Sequence, residues 1–204
     1  MLIFLRHELA FLATPKTGST AIEFALRPYA EVIFARNRKH IPAKRFKFRI
    51  APFMEKTFGT RPRSVAIMRD PVEQIRSWYR YRTNPRLAGS DLHTADIDFE
   101  TYVREVCSDS PPERARLGSQ FSFLSDKEGR MITDHVFAYD NIPAFLDFMS
   151  GRLGEQIVLK ERNVSPAIEA PLSDEGQQML RTARADEFAL YDRICAAGGH
   201  LHAT

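Results

Sequence analysis

The chain has 204 residues, of which 44% are hydrophobic and 27% are charged, with a formal net charge of +3. These ordinary values predict one globular domain over residues 1–204, and the weak basic charge suits anionic ligands but not nucleic-acid binding. Two distant cysteines, Cys107 and Cys195, argue against a disulfide framework or cysteine metal site and favour a reducing cytoplasm. No run approaches the ~18 apolar residues expected of a membrane span, and Arg6-His7-Glu8 interrupts the N-terminal apolar run too early for a signal peptide.

Short apolar runs alternate with helical periodicity along the chain. Strands are predicted at 9–13, 31–35, 64–68, 135–139 and 157–159. Helices are predicted at 20–26, 71–82, 99–106 and 142–153, through most of 172–197, after Pro111-Pro112 and before Gly59. The segment 83–98 is predicted to be a surface loop, and a disordered glycine-rich tail is expected at His200 and His202. The alternation predicts an α/β fold with a parallel sheet and helices on both faces, in three layers.

A candidate phosphate loop follows the first predicted strand. Its residues are Pro15, Lys16, Thr17, Gly18, Ser19 and Thr20, and a predicted helix begins at its end. Backbone N–H groups at such a helix start, together with the helix dipole, attract anions. Gly18 would allow close approach of the backbone, the hydroxyls would add donors, and Lys16 would add positive charge. The alternative is a plain strand–turn–helix connection with a solvated lysine.

The loop does not match the Walker A pattern of nucleotide-triphosphate enzymes. That pattern places its lysine after the second glycine, whereas Lys16 precedes Gly18. A Walker B interpretation of the strand at 64–68 is also disfavoured, because Arg69 stands between that strand and Asp70. A small-molecule kinase of the P-loop type stays open as the alternative enzyme.

A second motif, Arg69-Asp70-Pro71 followed after five residues by Ser77, begins at the carboxyl end of a predicted strand. Ligands bind at the carboxyl ends of strands in open α/β sheets. Asp70 is predicted to cap the next helix, with Pro71 as its first residue. Ser77 shares a helical stripe with Asp70, so its hydroxyl and the Arg69 guanidinium could form a phosphate clamp. A surface salt bridge of Arg69 beside an ordinary helix cap is the alternative.

Together the two motifs resemble those of sulfotransferases that use 3′-phosphoadenosine-5′-phosphosulfate (PAPS). The resemblance covers residues 9–82 and extends more weakly, through 163–166 and 186–191, to bacterial carbohydrate-type (family 2) members. It implies a P-loop-type fold in which Thr17, Gly18, Ser19 and Thr20 cradle the 5′-phosphate. It also implies that Lys16 is catalytic and faces the leaving phosphate oxygen, while Arg69 and Ser77 hold the 3′-phosphate. PAPS would be the co-substrate and 3′-phosphoadenosine-5′-phosphate (PAP) the product, with no metal required.

His40 is the candidate general base for the acceptor hydroxyl. It stands in Lys39-His40-Ile41-Pro42, which resembles the catalytic histidine segment of several carbohydrate sulfotransferases, with lysine replacing a glycine. A neutral imidazole near pH 7 suits this role. A structural or solvated histidine is the alternative, and Glu23 and Glu73 are weaker candidates for the base.

The basic stretch 36–49 would attract an acidic acceptor such as a uronic-acid glycan, or form a solvated face. Gln120 is a candidate for the acceptor or adenine side of the cleft, and Asn163 and Ser165 are candidates for a loop over the donor. The remaining aromatics near these segments are expected in the core: Phe46, Phe48, Phe53, Phe58, Phe121 and Phe123. The sequence thus predicts sulfuryl transfer to a hydroxyl, on a carbohydrate or glycoconjugate. The non-enzymatic alternative is a nucleotide- or polyanion-binding module.

Overall fold

The computed structural model describes residues 1–160 and 168–203. Within these ranges the chain divides into two units, each with its own apolar core. The first comprises residues 1–69, 119–160 and 190–203, and the second comprises 70–118 and 168–189. The single domain over 1–204 stays a prediction from chain length.

The first unit is built on a six-stranded mixed sheet with strand order β3-β1-β2-β4-β5-β6. Its strands are β1 (Leu2–Phe4), β2 (Leu9–Leu12), β3 (Val32–Ile33), β4 (Arg63–Met68), β5 (His135–Ala138) and β6 (His200–His202). The β2–β4 and β4–β5 pairs are parallel, whereas the β1–β2, β1–β3 and β5–β6 pairs are antiparallel. The α/β class is confirmed, and the all-parallel sheet was wrong because short antiparallel strands complete both edges.

Helices flank both faces of this sheet. Numbered across both units, the helices in the described residues are α1 (Ser19–Leu26), α2 (Ala43–Arg45), α3 (Ala51–Phe58), α4 (Pro71–Arg82), α5 (Phe99–Val106), α6 (Gln120–Leu124), α7 (Ile142–Leu153), α8 (Asp174–Ala183) and α9 (Ala185–Ala196). On one face, α1 and α7 bury Ile22 and Phe145 against alternate strand residues such as Phe11. On the other face, Phe46 and Ile194 pack against the intervening residues. The period of two along each strand therefore supplies both cores.

A continuous helical segment covers residues 43–58 and is termed here the basic helix. It consists of α2, one turn of π-helix (Phe46–Ile50) and α3, and it ends at Gly59 in a left-handed conformation. Its inward residues include Phe46 and Met54, which are 2% and 3% exposed. The basic helix therefore packs one apolar side on the sheet and turns its charged residues outward.

The second unit is helical and contains α4, α5 and α8. Pro71 is the first residue of α4, and Asp70 caps it by accepting a hydrogen bond from the N–H of Glu73 at 3.0 Å. This cap and both ends of α4 confirm the sequence prediction. Aromatic residues dominate the core, where Tyr79 packs against Phe99 with their ring centroids 5.4 Å apart.

Several short elements differ from the predictions. Pro111-Pro112 precedes only a short 3-10 turn (Glu113–Ala115), and the segment 157–159 is not a strand, since the N–H of Ile157 bonds to Ser150 instead. The tail at His200 and His202 is not disordered but forms β6 beside β5. Within the described ranges, no helix is long and apolar enough to cross a membrane.

Candidate functional site

The predicted phosphate loop and Arg69 lie at the same edge of the sheet. Strand β2 runs parallel to β4 with Leu12 opposite Ala66, and β4 runs parallel to β5 with Met68 opposite Ala138. The loop follows β2, Arg69 follows β4, and Tyr139 follows β5, so all three stand at the carboxyl ends of adjacent parallel strands. This edge is where open α/β sheets bind their ligands.

The phosphate loop adopts a tight conformation with two left-handed residues. Lys16 and Gly18 both have φ of 66°, a region that costs a residue with a side chain roughly 1–2 kcal/mol. The fully buried Thr17 donates its hydroxyl proton to the carbonyl oxygen of Thr14 at 2.9 Å. The Thr17 hydroxyl thus closes the loop internally, and its contribution to an anion site would come from its backbone N–H.

Helix α1 begins at Ser19, directly after the loop. Its N-cap is Gly18, which offers no side chain to the first-turn N–H groups, and the turn contains no acidic residue. The start of α1 is therefore electropositive, and no side chain of the N-cap residue bonds to its first-turn N–H groups. Ser19 and Thr20 are the first two residues of this helix. Ser19 is 6% exposed and Thr20 is half-buried.

Lys39 adds a second amine at this helix. Its Nζ donates to Oγ1 of Thr20 at 3.3 Å and lies 3.4 Å from a carboxylate oxygen of Glu23. In the sequence, Lys39 stands out only as part of a basic stretch and as the residue that replaces a glycine before His40. Its position could not be inferred from spacing, because nineteen residues separate it from Thr20. The ion pair leaves Glu23 poorly suited to act as the base.

Tyr139 connects the phosphate loop with Arg69. The guanidinium carbon of Arg69 lies 4.7 Å from the centroid of the Tyr139 ring, a cation–π contact. A Cβ placed on Gly18 would lie only 3.3 Å from Cε2 of the same ring. One aromatic ring thus lies beside both predicted halves of the nucleotide site. No local pattern indicates this role, since Tyr139 is the last residue of an ordinary predicted strand.

Gln120 fixes the main chain of Arg69. Its side-chain oxygen accepts the N–H of Arg69 at 2.9 Å, and its side-chain nitrogen donates to the carbonyl oxygen of Arg69 at 2.8 Å. Gln120 is only 1% exposed. It therefore holds the backbone from which the Arg69 side chain extends, and both bonds are made where solvent cannot compete. The neighbouring Phe121 and Phe123 pack against the core, as predicted.

His40 is anchored to Ala13, two residues before the loop. Its Nδ1 lies 2.6 Å from the carbonyl oxygen of Ala13. A carbonyl oxygen can only accept, so Nδ1 carries the proton, and in the neutral ring Nε2 is then the acceptor. Although part of the residue faces solvent, desolvation lowers the pKa of His40 below its usual value, and the charge of Lys39 acts in the same direction. His40 is thus held as a neutral imidazole with Nε2 able to take a proton.

Other predicted residues stand elsewhere or outside the described ranges. Ser77 is half-buried on α4, within the second unit, and its predicted partnership with Arg69 stays a prediction. Asn163 and Ser165 lie outside the described residues. A cavity of about 600 Å³ in the second unit involves none of the predicted site residues. It is lined by Arg104, Cys107, Glu175, Gln178, Met179, Thr182 and Ala183.

No model of a known protein family matches the chain, and neither a curated protein nor a solved structure shows significant similarity to it. Function is therefore inferred from the residues themselves and from the geometry of this edge of the sheet.

Proposed function

We propose that the chain is a sulfotransferase that moves a sulfuryl group from PAPS to a hydroxyl of an acceptor, on a carbohydrate or glycoconjugate. The observation that supports the proposal is the position of the Tyr139 ring, which makes a cation–π contact with Arg69 and whose Cε2 lies 3.3 Å from where a Cβ on Gly18 would stand. It joins two cationic sites at one edge of the sheet. A nucleotide with phosphates at its 5′ and 3′ positions needs two such sites, whereas a nucleoside triphosphate concentrates its charge in one chain.

In this proposal the loop residues Pro15 to Thr20 bind the 5′-phosphosulfate through backbone N–H groups, the Ser19 and Thr20 hydroxyls and the helix dipole. Arg69 binds the 3′-phosphate, since a guanidinium pairs well with phosphate oxygens. Gln120 and Tyr139 position Arg69 from its backbone and its side chain, respectively. A role for Ser77 at the 3′-phosphate rests on the family resemblance alone.

The transfer itself needs one base and one cation. Nε2 of His40 removes the proton of the acceptor hydroxyl while the acceptor oxygen forms a bond to sulfur. The bond between sulfur and the bridging phosphate oxygen breaks, and negative charge develops on that oxygen, which leaves as part of PAP. Lys16 stabilises this charge in the transition state. The proton stays on His40 until it passes to solvent, so the transfer step is balanced without a metal.

The test combines PAP binding with sulfuryl transfer. PAP at about 100 times its dissociation constant should stabilise the protein by about 2.7 kcal/mol, and Lys16→Ala should lose most of this gain. Lys127→Ala is the matched control, because Lys127 is an exposed lysine paired with Glu128. Labelled sulfate should pass from PAPS to a carbohydrate in a panel of hydroxyl acceptors. Stabilisation by ATP–Mg²⁺ but not by PAP would support a kinase instead, and PAP binding without transfer to any acceptor would support a non-catalytic module.

A further inference from the structure

The basic helix carries an outward surface that the sulfotransferase proposal does not use. Three phenylalanines that the sequence analysis expected in the core are exposed there: Phe48 is 59% exposed, Phe53 is 56% and Phe58 is 51%. Only Phe46 of the four predicted core aromatics in this segment is buried. The prediction that all four lie in the core was wrong. Only one side of a helix packs against the core, whereas these phenylalanines are distributed around the helix.

Cations accompany these exposed rings. Residues 45, 48, 49, 52, 53 and 56 are spaced by three and four positions, which places them on one stripe of the helix. This outward stripe combines three basic and three apolar residues: Arg45, Phe48, Arg49, Pro52, Phe53 and Lys56. The opposite stripe contains the buried Phe46, Ala51 and Met54. Half of the outward stripe is thus cationic and half is apolar.

Positive charge is concentrated in the sequence around the basic helix. Residues 36–63 contain ten of the 29 lysines and arginines but only one of the 26 acidic residues, Glu55. That carboxylate is already paired with Arg61 at 2.8 Å. The rest of the chain is therefore net acidic, and the positive field is concentrated around the basic helix.

We propose that the outward stripe of the basic helix docks on an anionic lipid surface. The cations would attract anionic headgroups, and Phe48 and Phe53 would enter the boundary between headgroups and acyl chains. The stripe contains no carboxylate or amide to accept hydrogen bonds from sugar hydroxyls, which disfavours a glycan. A single nucleic-acid strand is normally held in a groove, and these side chains stand on a convex helix. This inference is independent of the proposed transferase activity.

The test is co-sedimentation of the full chain with vesicles. We expect binding to vesicles of 70% phosphatidylcholine and 30% phosphatidylserine, and weak binding to pure phosphatidylcholine. The double variant Phe48→Ser/Phe53→Ser should bind these vesicles roughly tenfold or more weakly. The triple variant Arg45→Ser/Arg49→Ser/Lys56→Ser should show a similar loss. Raising the salt concentration should also weaken it. Phe24→Ser is the matched control, since Phe24 is 53% exposed and lies outside the basic helix.

Three outcomes would overturn the proposal. One is equal binding of wild type and the Phe48/Phe53 double variant, which would leave only a diffuse electrostatic attraction. Another is binding to heparin or to oligo-deoxythymidine without binding to anionic vesicles. The third is no association with either kind of vesicle. Because both phenylalanines are more than half exposed, the variants should fold, and unchanged thermal unfolding in the absence of lipid would verify this.

Discussion

Replacement of Gly18 by alanine tests whether the loop and Arg69 are coupled through Tyr139. The substitution has two separate costs. The first is backbone strain, because φ of 66° costs an alanine roughly 1–2 kcal/mol. The second is steric, because the new methyl group would lie 3.3 Å from Cε2 of Tyr139, closer than ordinary van der Waals contact. The ring must shift, and its cation–π contact with Arg69 shifts with it.

Gly59→Ala separates these two costs. Gly59 has φ of 70°, and a Cβ at that position meets nothing within 4 Å. It therefore carries the strain alone, as does Gly154→Ala, where φ is 72° and the space is also open. For a chain of this length, 1 kcal/mol corresponds to about 2–4 °C in the unfolding midpoint. We expect all three variants to lose stability, and Gly18→Ala to lose the most.

The binding assay is isothermal titration with PAP. Gly59→Ala and Gly154→Ala should bind PAP like the wild type, because neither residue belongs to the site. The affinity of Gly18→Ala for PAP should fall about tenfold or more, which corresponds to roughly 1.4 kcal/mol. A loss of this size is expected when the ring and the guanidinium are displaced. If Gly18→Ala binds PAP as well as the two control variants do, the coupling through Tyr139 does not contribute to the site.

Three further predictions concern His40, Gln120 and His135. His40→Asn should keep a donor for the carbonyl of Ala13 and retain PAP binding, but its turnover should fall by about 10²–10⁴. The activity of the wild type should decline only below pH 6.5, because the pKa of His40 is lowered and protonation removes the base. Gln120→Leu removes both hydrogen bonds to the Arg69 main chain and should cost about 2 kcal/mol in chemical denaturation, whereas Leu at the exposed Gln177 should cost little. Burial, aided by Arg63, His202 and His200 and opposed by Asp134, lowers the pKa of His135 to about 4. Its stabilising contribution is therefore complete above pH 6.5 and lost as the pH falls towards 4, and His135→Phe should flatten that dependence. Turnover of His40→Asn near the wild-type value, equal losses at Gln120 and Gln177, or an unchanged pH slope in His135→Phe would each contradict the corresponding prediction.

The elements that were predicted well are those with strong local signals. Strand β4 contains the continuous apolar run 65–68, and Asp70-Pro71 marks the start of α4 by a cap and a fixed φ. Helix α7 ends at Gly154 in a left-handed conformation, as its sequence suggests. In each case a few adjacent residues determine the structure, so no knowledge of distant contacts is needed.

The missed elements depend on distant partners. β6 is the triplet His-Leu-His, whose pattern gives no strand signal, yet His200 stacks on Phe137 with ring centroids 3.9 Å apart. β1 was not predicted. Its three residues, Leu2–Phe4, are too few to show the periodicity of a strand. These two strands make the sheet mixed, and their pairing is visible only once β2 and β5 are placed.

The candidate site shows the same division. The candidate phosphate loop and Arg69 could be found from the sequence, because each follows an apolar strand and precedes a helix. Tyr139 could not, because it acts through a ring face. Gln120 was predicted at the cleft, but its bonds to main-chain atoms 51 residues away have no local signal. His40 was found by resemblance, and its bond to Ala13 supplies a physical reason for its tautomer.

The most direct test of the two-site account is the affinity of PAP compared with adenosine 5′-monophosphate, in the wild type and in Arg69→Ala. These two nucleotides differ only in the 3′-phosphate. A charge-assisted contact of about 1.5–3 kcal/mol predicts that the wild type binds PAP roughly 10- to 100-fold more tightly. Arg69→Ala should remove most of that preference and leave binding of the monophosphate nearly unchanged. If the wild type shows no preference for PAP, or if Arg69→Ala weakens both nucleotides equally, Arg69 is not the 3′-phosphate site.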